Sequence, residues 1–332
     1  MNHPLNIVVL GHGMVGHKFL ERLALDNAPH LSVTVLCEEP RPAYDRVHLS
    51  EFFAGKRAED LSLVAPGFFE QTGFSLRLKA RASAIDRRHK TVTTADGEVL
   101  AYDKLVLATG SVPFVPPVRG NDRPDCFVYR TIEDLEGMTE CGARSQSGVV
   151  VGGGFIGLEA AVALADMWGV QVSVVEMMDQ ILPGVLSQPL SRMAANDCQT
   201  HKVDVFTSEK VLRLEGENGT VTKVVTDKRE ISAQLVIFAA GFIPNGQLAK
   251  DAGLEVAPFG AVVVDEHMRT TDPSIYAGGD CVAIKNIITD KIGYIQYILS
   301  LICVSQYADV FFFLYSQDFI LHFSNRHCLS LS

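Results

Sequence analysis

Clustered cysteine is what this 332-residue sequence most plainly lacks. Its seven cysteines (Cys37, Cys126, Cys141, Cys198, Cys281, Cys303 and Cys328) are scattered, and no two are spaced CxxC. That excludes a cysteine-pair zinc site, an iron–sulfur run and a dithiol redox motif. An odd number of cysteines in apolar segments suits reduced, buried thiols and a cytoplasmic protein. Basic charge is also in short supply: 29 Lys and Arg stand against 39 Asp and Glu, a net charge of −10. A surface of that sign repels phosphate backbones, so nucleic acid is excluded as a partner. The start, MNHPLNIVVLGHG, has no basic stretch ahead of its apolar run, and glycine interrupts that run early. It reads as a first β-strand, not a signal peptide. Low-complexity segments are absent, and the sole internal repeat is a duplicated βαβ unit.

The first copy of that unit begins with LNIVVL, a continuous β-branched run of the kind that forms a parallel strand buried on both faces. GHGMVG follows at once, with Gly11, Gly13 and Gly16 at GxGxxG spacing, and then HKFLERLALD with helical periodicity. A second strand, LSVTVLCEE, carries Glu38 at its end, 22 residues past Gly16. Each part has a physical reason. Gly11 permits a tight turn, Gly13 lets the backbone approach a pyrophosphate, and Gly16 lets helix and strand pack closely. The helix start offers free N–H groups and partial positive charge. The acid at the strand end accepts ribose hydroxyl protons. His12 and His17, inside the motif, read as packed or solvent-facing side chains, not ligands.

The second copy runs GVVVGGGFIG, with Gly152, Gly154 and Gly157 in the same register. The helix former LEAAVALADMWG follows, with Gly169 as its stop. VQVSVVE then ends at Glu176, 19 residues past Gly157. Two dinucleotide sites in one chain point to electron transfer between them. Glu176 opposes a 2′-phosphate, and Met177 and Met178 stand where an NADP site often places arginine, so the expected coenzyme is NADH in preference to NADPH.

Three further strings complete the pattern: YDKLVLATG, QLVIFAAGFIPN and TTDPSIYAGGD. With the two loops they give a sequence that resembles the FAD- and NAD(P)H-dependent pyridine nucleotide oxidoreductases with paired Rossmann domains. GHGMVGHKF and EEPRPAYDRVHLSEFFAG are most similar to the flavin module of the NADH-dependent nitrite reductase large subunit. The ferredoxin- and rubredoxin-reductase-like flavoproteins share a looser form. VVEMMDQILPG, PNGQLAKDAGLEV and GAVVVDEHMRTTDPSIYAGGD look closer to coenzyme A disulfide reductases. The resemblance covers about residues 5–291.

The resemblance implies an α/β fold of two Rossmann-like three-layer (ββα) domains. A discontinuous FAD domain would comprise residues 1–113 and 244–291, with an NAD(H) domain, 114–243, inserted and 292–332 as an atypical hydrophobic tail. It implies that Gly11, Gly13, Met14, Val15 and Gly16 cradle FAD and that Glu38 holds the adenosine ribose. Arg46, Ala82, Ala108, Thr109, Gly110, Arg130 and Gly241 would line the flavin site, and Asp280 would bind the ribityl chain. Gly152, Gly154, Phe155, Ile156, Gly157 and Glu176 would hold NADH. Glu159 faces either the nicotinamide-side cleft or solvent. Hydride would pass directly from nicotinamide to flavin without a general base, so no catalytic side chain is nominated. The electrons would then go to a redox partner domain or protein.

Two departures bear on function. Disulfide-reducing relatives carry a cysteine beside the flavin where this chain has RPAYDRVHLS, so disulfide reduction is disfavoured. Nitrite reduction by the iron–sulfur and siroheme route needs clustered cysteines, which are missing. The tail departs further. Residues 292–332 hold nine of the 27 aromatics and three charges, Asp309, Asp318 and Arg326, and account in good part for a mean hydropathy of +0.17. Its uncharged stretch, Ile292 to Ala308, reaches about 26 Å as a helix, marginal against a hydrocarbon core of about 30 Å, so a membrane is disfavoured. A packed terminal helix or strand is a further reading, but a frameshifted or truncated end is expected, and with it an alternative function: a flavoprotein fragment that binds dinucleotides with little turnover.

Overall fold

A computed structural model describes residues 4–25, 30–285 and 292–293. Apart from Ile292 and Gly293, the tail lies outside the described residues. The backbone of those two pairs antiparallel with Ile284 and Lys285.

The first sheet is fully parallel and built around β1 (Leu5–Leu10). On one side β1 pairs with β2 (Leu31–Leu36), which pairs with β3 (Ser75–Arg77). On the other it pairs with β4 (Lys104–Leu107), and the late strand Ile275–Ala277 closes that edge. The apolar run of β1 is continuous because each face has its own core. Ile7 and Val9 pack with Phe19, Leu20, Val33 and Val35 beneath helix α1 (Met14–Leu25). Val8 and Leu10 pack with Leu105 and Leu107 and with Ile85 and Val92 of an antiparallel layer, Ala82–Asp86, Thr91–Thr94 and Val99–Ala101. The Asp96–Gly97 turn joins the last two of these strands, with Gly97 at φ 91°.

The second sheet repeats the plan. β6 (Ser147–Val151) lies between β7 (Gln171–Val175) and β9 (Leu235–Phe238), with β8 (Val203–Phe206) outside β7 and β5 (Cys126–Val128) outside β9. All four pairings are parallel. Val150 faces helices α2 (Ile132–Gly142) and α3 (Phe155–Trp168), whereas Val149 and Val151 face the antiparallel strands Val211–Glu217 and Thr220–Thr226. Each unit is therefore three-layered. Gly169 ends α3 at φ 67° and donates its N–H to Ala165, as a left-handed cap does.

Among the described residues, the units meet at the crossings and along the segment after β2. The outgoing strand Ser111–Pro113 pairs antiparallel with the returning strand Phe242–Pro244. Apolar side chains of the segment after β2 (Tyr44, Leu49, Phe53 and Leu61) join the core of α2 and α3, where Phe53 lies edge-on to Trp168 at 5.6 Å. Among the described residues no helix is long and apolar enough to cross a membrane.

Candidate functional site

Both glycine loops sit at the carboxyl ends of their central strands, where open α/β sheets bind ligands. Their geometry is nearly identical. Gly11 lies at φ 104° and Gly152 at φ 116°; a Cβ there would stand 2.2 Å from the Ala108 carbonyl oxygen and 2.3 Å from that of Ala239. Cβ atoms on Gly16 and Gly157 would meet the carbonyl oxygens of Gly11 and Gly152 at 2.2 and 2.1 Å. Nothing lies within 4 Å of a Cβ on Gly13 or Gly154. The outer glycines are thus demanded by the fold, while the middle ones leave room for a ligand.

Electrostatics agree with the geometry. Neither α1 nor α3 has an acidic residue in its first turn, so the positive end of each helix is not neutralised. Helix α2 offers a contrast. It opens with Glu133 and Asp134, and Thr131 caps it reciprocally with Asp134. A self-capped, acid-flanked helix start has two of its N–H groups already taken and repels an anion. An open cradle, an uncompensated helix start and a strand-end acid together fit a dinucleotide at each loop.

Around the first loop, Met14 and Val15 begin α1, and Val15 touches the GGD segment: a Cβ on Gly279 would lie 2.9 Å from Val15 Cγ2. Ala108, Thr109 and Gly110 follow β4. Thr109 Oγ1 donates to the Asn245 carbonyl at 2.8 Å, which ties this strand end to the return crossing. Gly241 lies on that crossing and accepts from Phe114 N at 2.8 Å. Asp280 accepts from Ser111 Oγ at 3.4 Å. Arg130 stacks over Phe242, and its Nη2 would lie 3.3 Å from a Cβ on Gly110. Burial and the neighbouring Arg46 guanidinium lower its pKa, against the opposing pull of Asp280 and Glu39. Arg46, whose side chain reaches the Arg130 backbone, and Arg130 together suit an anion such as a pyrophosphate.

Glu38 is exposed at the end of β2 and pairs with Arg81 at 3.6 Å. Ala82 stands next to Arg81, half-buried, at the start of the antiparallel layer. The adjacent Glu39, passed over in the sequence, is the better-connected acid. It forms an ion pair with Arg46 and accepts from Tyr44 Oη at 2.8 Å, while Arg46 Nη1 donates to Tyr44 Oη and to the Arg130 carbonyl, each at 2.8 Å. The doublet of acids after an apolar strand was the only available signal, since successive side chains there point to opposite sides.

At the second loop Glu176 is buried, and both its carboxylate oxygens accept backbone N–H groups at 2.7 Å, from Gly153 and from Met178. Met177 and Met178 are exposed beside it. Phe155 is exposed at the first position of α3, with Ile156 half-buried next to it. Glu159 is exposed on the side of α3 that faces Tyr129: burial first, and this carboxylate second, push the Tyr129 phenol above its usual range. Cys37 and Cys281 are buried, and burial raises both thiols; Cys281 Sγ donates to the carbonyls of Gly278 and Leu107. Neither is in the thiolate form that nucleophilic redox chemistry uses.

Comparison with known proteins matches this arrangement. The chain is 42% identical over 286 residues to the nitrite reductase (NADH) large subunit of Escherichia coli (strain K12), covering 85% of this chain and 34% of that protein. It is 34% identical over 258 residues to the rubredoxin-NAD(+) reductase of Pseudomonas putida, covering 77% and 66%. The chain thus spans about a third of the length of the nitrite reductases it matches. Among solved structures, a covalent putidaredoxin reductase–putidaredoxin complex superposes with a TM-score of 0.87 at 30% identity, covering 93% of this chain and 76% of that one. Residues 5–298 match a family described as pyridine nucleotide-disulphide oxidoreductase, seven residues beyond the reach read from the strings. With both loops, both crossings and the GGD segment inside that match, the chain belongs to the pyridine nucleotide-disulphide oxidoreductase family.

Proposed function

We propose that this chain is an FAD-dependent oxidoreductase that accepts a hydride from NADH and passes electrons to a separate acceptor, in the manner of a nitrite reductase flavin module. One observation carries the reading: two open glycine cradles on duplicated sheets, joined by a paired two-strand crossing. When bound, FAD supplies the hydride acceptor and NADH the donor. The chain's own residues hold and orient. Gly13, the start of α1, Arg46 and Arg130 take the FAD pyrophosphate, Glu38 the adenosine ribose, and Asp280 the ribityl chain. Gly154 and α3 take the NADH pyrophosphate, Glu176 its adenosine ribose, and Phe155 and Glu159 border the cleft. The FAD domain comprises residues 1–113 and 244–291, with the NAD domain between. Five free thiols among the described residues suit a cytoplasmic setting.

The purified chain should be yellow, or become so with added FAD, and stoichiometric NADH should bleach it. NADH should exceed NADPH in kcat/KM by at least about tenfold, because two fixed backbone donors hold Glu176 where a 2′-phosphate would stand. A protein that takes up no flavin sinks the reading. A yellow protein that NADH does not bleach favours the alternative, a dinucleotide-binding fragment with little turnover.

A further inference from the structure

The first phosphate loop carries two histidines that its ligand-cradling role does not require. Both are buried, His12 at 4% and His17 at 3% exposure, and their rings meet edge-on at 5.3 Å. Each makes one directed bond to the same small structure. Ala43 N donates to His12 Nδ1 at 3.1 Å, and His17 Nε2 donates to the Leu63 carbonyl at 3.0 Å. Ala43 and Leu63 belong to opposite sides of a short antiparallel ladder. Leu63 N donates to Ala43 O, Asp45 N donates to Leu61 O, and Tyr44 pairs with Ser62 between them. The two imidazoles therefore pin both sides of one ladder to the start of α1.

That ladder carries the polar cluster of the flavin site. Tyr44 lies within it and Arg46 directly follows. The Arg46 guanidinium stacks 4.5 Å over the Tyr44 ring, pairs with Glu39 and donates to the Arg130 carbonyl. Packing alone would be served as well by phenylalanine or leucine, since Phe68 and Phe69 already surround the pair. The bonds are a different matter. Ala43 is 2% exposed, so its N–H has no access to water and needs an acceptor, which an aliphatic side chain at residue 12 does not supply. We infer that His12 and His17 are positioning residues for the flavin site, struts that fix the 43–45/61–63 ladder against the phosphate loop and thereby set Arg46 beside Arg130. The inference rests on the proposed reading that the first loop takes FAD.

The test uses the full chain and FAD itself. Asparagine places Oδ1 on the same γ branch as His Nδ1 and still accepts from Ala43 N, so His12→Asn should keep the FAD Kd within about threefold of the original. His12→Leu leaves that N–H buried and unpaired, and should weaken FAD at least about tenfold and alter the visible spectrum of the bound flavin, while NADH binding at the second loop is unchanged. Because the strut acts through Arg46, the losses in His12→Leu and Arg46→Gln should be clearly less than multiplicative in the double variant. Should His12→Leu fail to fold, His17→Leu with His17→Gln as its rescue makes the same comparison at the other strand. FAD binding by the leucine variants equal to the original, multiplicative losses, or failure of the folded rescues overturns the inference. An original chain that takes up no FAD overturns the functional reading instead.

Discussion

Gly154 and Gly152 are two residues apart and should respond oppositely to the same change. Gly154 has φ −81° and ψ −178°, values open to any residue, and faces free space. Gly154→Val should leave the melting temperature almost unchanged and slow NADH bleaching at least about tenfold, because the side chain fills the pyrophosphate space. Gly152→Val should fail at folding instead, since its Cβ would run into the Ala239 carbonyl at a strained φ. Thermal melts beside stopped-flow bleaching would separate the two. A second residue-scale effect concerns pH. Burial, then His17, pushes His12 down to about 3, and burial lowers His17 as well despite Glu21. The unfolded chain binds these protons near pH 6.5 while the folded chain does not. For His12, stability is therefore full above about pH 6.5 and falls as the pH drops toward 3, by about 1.4 kcal/mol per pH unit; His17 contributes in the same direction. Melts between pH 7 and pH 5 should show a smaller decline in His12→Asn than in the original chain; an equal decline would rule this out. The sequence indicated only that these histidines are not ligands, and left open whether they are packed or face solvent. It did not indicate what they hold, because Ala43 and Leu63 are 31 and 46 residues away along the chain from their partners.

At the scale of elements, the legible parts were those whose burial is uniform. β1 and β6 read as parallel strands because both faces bury β-branched side chains, and α3 read as a helix through its composition and its stop at Gly169. The strand Ser111–Pro113 has no local pattern of its own in the sequence. Its pairing is fixed by Phe242–Pro244, about 130 residues later, and no local pattern records a partner at that distance. The turn of helix Ser50–Phe53 was equally silent, yet it presents Phe53 to Tyr129 and Trp168 at the junction of the two units. Phe53 is 4% exposed, so Phe53→Ala should cost about 3–5 kcal/mol in chemical denaturation. A loss below about 1 kcal/mol would mean that this contact does not couple the units.

Over the whole molecule, the scattered cysteines set a limit on chemistry. With NADH and ferricyanide the chain should turn over, whereas nitrite should not accelerate NADH consumption, since no clustered cysteines are present to build the iron–sulfur and siroheme route. Acceleration by nitrite would require a different electron path. The duplication of the sheets has a consequence of another kind. FAD and NADH share the same adenosine diphosphate half, and the two cradles are alike to within about a tenth of an ångström in how their glycines close on the neighbouring carbonyls. Neither cradle can therefore tell the coenzymes apart by the half it grips. Sorting falls to what lies beyond it, Asp280 on one side and the Phe155 rim on the other, so plain ADP is a natural competitor at both.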